Sequence, residues 1–232
     1  MKTIRYNTFE TNSSSTHSAT ILSDEEYNNI NAGKAVIKYD DYVEITEDFI
    51  KDDLKEKVIN TKSCIKNHED ELFDIMPLEG KDTGDWTEDQ KKSVGGWKYD
   101  TLSGSELKIK LRESIAYKKS RIETEKEELE FLESADPLRL QALFLGLIPH
   151  IEELKGSSSD DDEDEYKEED GTSDIKSITE NFTEKEVDYV KDFLDDCDNI
   201  ESYGSGYDEA FLLERTIDGV TVHCMGYFGY DG

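Results

Sequence analysis

The chain has 232 residues and a formal net charge of −30, from 57 acidic and 27 basic residues. A surface that negative repels nucleic-acid phosphates and anionic headgroups and attracts basic protein surfaces. Apolar residues are only 34%, yet 12 Tyr, 9 Phe and 2 Trp supply enough core to exclude disorder throughout.

The elements follow in chain order. Residues 3–9 (TIRYNTF) and 17–22 (HSATIL) read as short strands flanking a serine-rich loop. Ser23 and Glu26 form an S-x-x-E capping box that starts a helix, and Gly33 is placed to end it. Residues 35–45 predict a β-hairpin around Asp40-Asp41, and 47–75 predict a helix. Six glycine and proline positions punctuate 77–104, with Trp86 and Trp97 as anchors, which predicts an irregular loop packed by its own aromatics. A helical pair follows over 105–155. Ser103 and Glu106 cap its first member, and Asp136 with Pro137 starts the second, apolar one. Residues 156–174 form an acidic, flexible linker. Thr183 and Glu186 cap a last helix, and Asp218-Gly219 is a two-residue turn signal between alternating strands.

These elements predict an α+β fold. An antiparallel sheet combines N-terminal strands with the C-terminal hairpin, and the helical pair and acidic loop are inserted between them. The expected regions are 1–104 (α+β), 105–155 (helical pair), 156–174 (linker) and 175–232 (helix plus hairpin).

Three clusters carry candidate chemistry. The loop Thr11–His17 gathers hydroxyls, a carboxamide and an imidazole, so Ser13, Ser14, Ser15 and His17 are candidates for a nucleophile beside a base or for a phosphate cradle. A hydrogen-bonded turn needs the same residue types. With Asp218-Gly219 as the turn, Glu214 lies opposite His223, where a carboxylate favours the imidazolium form. That pair reads as an acid–base couple or as a surface ion pair. No catalytic role is assigned to Ser13, Ser15, His17, Glu214 or His223.

The third cluster is the acidic surplus. Asp160, Asp161, Asp162, Glu163, Asp164, Glu165, Glu168, Glu169 and Asp170 make one run, and Asp192, Asp195 and Asp196 lie on the last helix. These are the candidate binding residues, with the acidic faces of helices 47–57 and 184–198 as surfaces. Against this trend, residues 105–126 carry seven basic and four acidic residues, a helix expected to pair in cis or to be solvated. His68-Glu69-Asp70-Glu71 and Asp195-Asp196-Cys197-Asp198 lack paired metal-ligand spacing. Cys64, Cys197 and Cys224 form no CxxC pair, which fits a reduced compartment. No metal, cofactor, membrane or direct nucleic-acid contact is expected. The opening residues lack a signal-peptide core, and no segment reaches the roughly 18 apolar residues of a membrane span.

The stretch Phe9-Glu10-Thr11-Asn12-Ser13-Ser14-Ser15-Thr16-His17-Ser18 resembles the opening of a group of accessory proteins from bacteriophages and their bacterial hosts. The resemblance covers about the first 20 residues. It implies a phage accessory role in the cytoplasm of the host cell and carries over no reaction. Three functions are therefore expected in order. The first is an inhibitor that docks a basic, nucleic-acid-binding host protein, for example a defence protein, through a nucleic-acid-mimicking acidic surface. The second is an enzyme or nucleotide-binding protein using the Asn12–His17 loop. The third is a virion structural or assembly component. Oligomeric state is left open.

Overall fold

The computed structural model describes residues 17–39, 41–156, 172–198, 210–217 and 219–228. The chain divides into two compact units. Residues 1–51 and 136–232 form the first, and residues 52–135 form the second. The cut expected at 104–105 falls inside the second unit.

In the first unit, β1 (His17–Ser23) leads directly into α1 (Asp24–Asn31). Ser23 caps α1 with the expected box: its hydroxyl accepts from the Glu26 amide, and Glu26 accepts from the Ser23 amide. Gly33, at φ +66°, ends the helix. Gly33 N–H reaches Ile30 O and Lys34 N–H reaches Asn29 O, both at 2.9 Å, the paired bonds of a left-handed helix stop.

β2 (Ala35–Lys38) and β3 (Asp41–Glu44) form the expected hairpin. Its turn lies one residue earlier than expected. Lys38 pairs with Asp41, so Tyr39 and Asp40 connect the strands. Tyr39 takes φ +49°, as such two-residue turns require. Asp40 lies outside the described residues.

The strands divide between two antiparallel sheets. β1 joins the C-terminal hairpin of β5 (Ala210–Ile217) and β6 (Val220–Phe228) in the order β1-β6-β5. The early hairpin does not join that sheet. It pairs instead with the short β4 (Cys197–Asp198), in the order β3-β2-β4. The reversal at α1 and Gly33 turns the chain away after β1. In the β5–β6 hairpin Ile217 pairs with Val220 and Glu214 with His223.

α5 (Pro137–Leu147) starts at Asp136 and Pro137 as expected, and the Asp136 side chain accepts from the Leu138 amide. Pro149 converts the chain to a single 3-10 turn before α6 (Ile151–Gly156). α7 (Thr172–Thr179) begins inside the segment expected to be linker, while 157–171 lie outside the described residues. α8 (Glu184–Asp195) follows its Thr183–Glu186 box. Leu140, Leu143, Phe144, Leu147, Val190 and Leu194 are fully buried, and Phe144 meets Phe193 edge-on at 5.2 Å.

The second unit is an antiparallel helical hairpin with a small cap. α2 (Glu47–Ile75) begins in the first unit and continues here, and α4 (Gly104–Ser134) returns. Leu54, Val58, Thr61, Ile65, His68, Leu72 and Ile75 repeat at alternating steps of four and three. Leu111, Ile115, Lys118, Ile122, Glu125, Leu129 and Leu132 do the same on α4. Such a/d spacing is the pattern of a coiled-coil seam. Lys62–Glu133 (2.6 Å) and Glu69–Lys126 (2.8 Å) tie the two helices. Thus α4 packs on α2, and α5 belongs to the other unit.

Residues 77–104 are more regular than expected. Thr87 and Gln90 make a capping box that starts α3 (Glu88–Gly95), with 3-10 turns on either side. Trp86 is buried with Ile75, Leu78, Val94, Leu107 and Leu111, but Trp97 is 82% exposed and anchors nothing.

Candidate functional site

The sheet holds His17 and His223 apart. Ser13, Ser14 and Ser15 lie outside the described residues, as does the His17 side chain. His17 pairs with Phe228 at one end of β1, whereas Leu22 pairs with His223 at the other. Five residues of strand separate them by about 17 Å.

His223 finds a carboxylate other than Glu214. Its Nε2 lies 2.7 Å from Asp24 Oδ1, and its ring stacks on Tyr27 at 3.8 Å and 4°. The register explains this. Leu22 opposite His223 brings the imidazole beside the start of α1, where Asp24 and Tyr27 face it. Glu214 stays exposed on the edge strand, while His223 is 5% exposed. The nearby Ser23 hydroxyl is engaged with Glu26. The Asp24–His223 couple therefore fastens α1 to the sheet.

A second constellation surrounds the end of α8. Lys38 Nζ lies 3.8 Å above the Phe193 ring, 3.4 Å from Phe193 O and 3.6 Å from Asp196. A cation at that position answers the carbonyls of a helix C-terminus. Tyr39 donates its hydroxyl to Asp196, which holds the Asp196 carboxyl below the ordinary carboxylate value with help from Lys38. Lys155 binds Asp198 at 2.9 Å. Between the two aspartates, Cys197 is fully buried, donates to Phe193 O, and has its thiol pushed up to about 12 by burial. Among the described residues no three His, Cys, Asp or Glu side chains converge to hold a metal ion.

Thiol labelling tests this burial. Cys64 is exposed and is expected to react at once with a thiol reagent. Cys197 is expected to stay protected until the chain unfolds, because thiolate reactivity requires ionisation and access. Equal native rates at Cys64 and Cys197 would contradict the placement.

The acidic candidates separate into engaged and open groups. On α2, Lys51 meets Glu47 and Asp48, Lys55 meets Asp52, and Lys57 meets Asp53. These three lysines engage four of the five carboxylates of 47–57 and leave that segment two charges negative. Asp196 is held by Tyr39 and Lys38. Glu184, Asp188, Asp192 and Asp195 are all exposed on α8, and none forms an ion pair among the described residues. They recur at i, i+4, i+8 and i+11, so one row of carboxylates runs about 16 Å along the helix, opposite buried Val190 and Leu194. The helical register of Asp192 and Asp195 was enough to find Glu184 and Asp188. The run 160–170 lies outside the described residues.

At the other end of α8, Arg139 Nε reaches Glu186 at 2.6 Å and the guanidinium stacks on Phe182. Burial works against the Glu186 charge. Hydrogen bonds from Arg139 and Thr183 outweigh it and hold the carboxyl below its ordinary value. Lys118 does the same to Glu71 in the helical hairpin. Both groups are lowered on folding, so their stabilisation is complete above about pH 4.3 and is lost as pH falls through the lower folded values. Urea midpoints are expected to stay flat from pH 7 to about 5 and to drop below about 4. Glu186→Gln is expected to flatten that drop, and an unchanged acid limb would contradict the role given to Glu186.

Four of the seven basic residues in 105–126 are paired, while Lys110, Arg112 and Lys119 form no ion pair among the described residues. Lys108 meets Asp82, Lys118 meets Glu71, Arg121 meets Glu125 and Lys126 meets Glu69.

Fold and surface together define an α+β protein with an acidic helix face and a heptad-patterned helical hairpin. No family model, no curated protein and no solved structure matches the chain. Among the described residues no helix is long and apolar enough to cross a membrane.

Proposed function

We propose that this chain is a bacteriophage-type accessory protein that inhibits a basic, nucleic-acid-binding host protein by occupying its phosphate-binding surface. The observation that carries the reading is the exposed row Glu184, Asp188, Asp192 and Asp195 on α8. Its charges step at about 6 Å, one helical turn apart, and form no ion pair among the described residues, unlike Glu47, Asp48, Asp52 and Asp53 of α2; the exposed Lys191 borders the row. The net charge of −30 supplies long-range attraction for a cationic partner. Such attraction raises the association rate and weakens with salt. The acidic residues of 160–170 extend the same chemistry in sequence. Non-catalytic action is favoured because His223 is committed to Asp24 and Tyr27, and Cys197 is buried and neutral.

The test compares two variants of equal charge. Reversing Glu184, Asp188, Asp192 and Asp195 to Lys adds eight charges, taking −30 to −22. Reversing the exposed Asp70, Asp74, Glu79 and Glu123 gives the same −22 from the second unit. Capture from host lysate with the unaltered chain is expected to return a nucleic-acid-binding protein, competed by DNA and lost at high salt. The α8 variant is expected to lose it and the control to keep it. Equal loss in both variants, or no basic partner at all, would end the proposal.

A further inference from the structure

β5 is the outer strand of its sheet, with β6 as its neighbour among the described residues. Its pairing with β6 runs through eight consecutive pairs without a bulge. The strand therefore presents about 27 Å of regular edge. Leu212 is 36% exposed, Leu213 is 60% exposed, and Glu214, Arg215 and Thr216 are exposed too. Consecutive residues on a strand face opposite sides, so over 212–216 both faces of β5 are exposed among the described residues. Proteins guard such edges with lysine, proline, bulges or covering segments, because the unpaired main-chain groups template another strand. The sequence AFLLERTI has no lysine and no proline, and its two charges, Glu214 and Arg215, leave Ala210–Leu213 without one.

The charge on this strand narrows what pairs with it. In a chain of net charge −30, β5 carries one Glu and one Arg and is neutral. A neutral, leucine-bearing edge has nothing to offer a basic partner, and the α8 row supplies that chemistry separately. It does match itself. An antiparallel pair of identical strands related by a two-fold axis places one residue opposite its own copy. An axis at Glu214 or Arg215 would set like charges face to face, which is destabilising. An axis at Leu212 or Leu213 sets leucine on leucine and places no charge directly opposite its own copy.

We propose that β5 is a dimerisation edge. Two copies pair β5 to β5 about a two-fold axis in the Leu212–Leu213 segment, joining two three-stranded sheets into one continuous sheet. This surface is distinct from the α8 row, so failed capture of a basic partner leaves the dimer standing. Salt separates the two cases as well. Two chains of −30 repel one another across a Debye length of about 30 Å at 0.01 M salt and about 8 Å at 0.15 M. Added salt therefore strengthens this contact and weakens a basic one.

Sedimentation of the full chain across a dilution series tests the proposal. The mass is expected to double with concentration at 0.15 M salt and to double less readily at 0.01 M. Leu213→Lys is expected to stay at monomer mass with an unchanged melting temperature. Leu145→Lys, at an exposed leucine of α5, is expected to dimerise normally. If Leu213→Lys folds poorly, hydrogen exchange of the unaltered chain decides, since β5 amides should gain protection with concentration. Monomer mass under all conditions, a dimer that survives Leu213→Lys, or concentration-independent β5 exchange would overturn it.

Discussion

Phe144→Ala is expected to cost about 3–5 kcal/mol, the range for deleting a buried phenyl ring. Phe144 is 1% exposed and meets Tyr189 at 6.2 Å and Phe193 at 5.2 Å, both edge-on. Phe193 in turn meets Phe49 at 5.6 Å. One ring thus joins α5 and α8, and through Phe193 it reaches the start of α2. Leu140, Leu143 and Leu147 lie on the same helix and are fully buried, so little can collapse into the space left behind. A domain stable by only 5–15 kcal/mol loses much of that margin. Urea unfolding followed by far-UV circular dichroism measures it, and a loss under about 1 kcal/mol would contradict the packing described.

The second large effect changes sign between a single and a double substitution. His68 and Glu125 occupy seam positions of the helical hairpin, with Nε2 3.4 Å from Oε1. Arg121 reaches the same Oε1 at 3.3 Å. Glu125 is 5% exposed, and its Oε2 has no hydrogen-bond partner, nor has His68 Nδ1. Glu125→Leu alone leaves the imidazole with only the more distant Glu71, 3.7 Å from Nδ1, and is expected to cost about 1–3 kcal/mol. Replacing His68 and Glu125 together with Leu removes both desolvation costs. That change is expected to be neutral or to stabilise by about 1–4 kcal/mol. The seam then keeps Thr61 and Lys118 as its polar markers of heptad alignment. Thermal melting of both variants checks the order. A double variant less stable than the single one would refute it.

Elements decided by one short-range interaction are legible in the sequence. The boxes at Ser23, Ser103 and Thr183 start α1, α4 and α8. Asp218-Gly219 marks the hairpin register because Gly219 adopts φ +81°. The box at Thr87–Gln90 carries the same signal, set among glycines and tryptophans that also suit an irregular loop. Long-range partners were not legible. The stripe on α4 looks sparse because two of its seam positions hold Lys118 and Glu125, which make sense only once Glu71 and His68 on α2 face them. His223 likewise depends on how α1 folds back, which places Asp24 nearer than the cross-strand Glu214. The acidic row on α8 was legible as composition. Lysine spacing alone does not foretell which face pairs: Lys191 stands three and four residues from Asp188 and Asp195 without an ion pair among the described residues, whereas Lys55 meets Asp52 at the same spacing of three.

Trp86 and Trp97 are the only tryptophans, and both belong to the unit formed by residues 52–135. Indole emission from this molecule therefore reports on that half alone, with one shielded and one wet fluorophore. The Phe144 cluster is dark at the same wavelengths. A melt followed by fluorescence and one followed by ellipticity coincide only if the two halves come apart together. The spread between those curves would measure directly how strongly one half depends on the other.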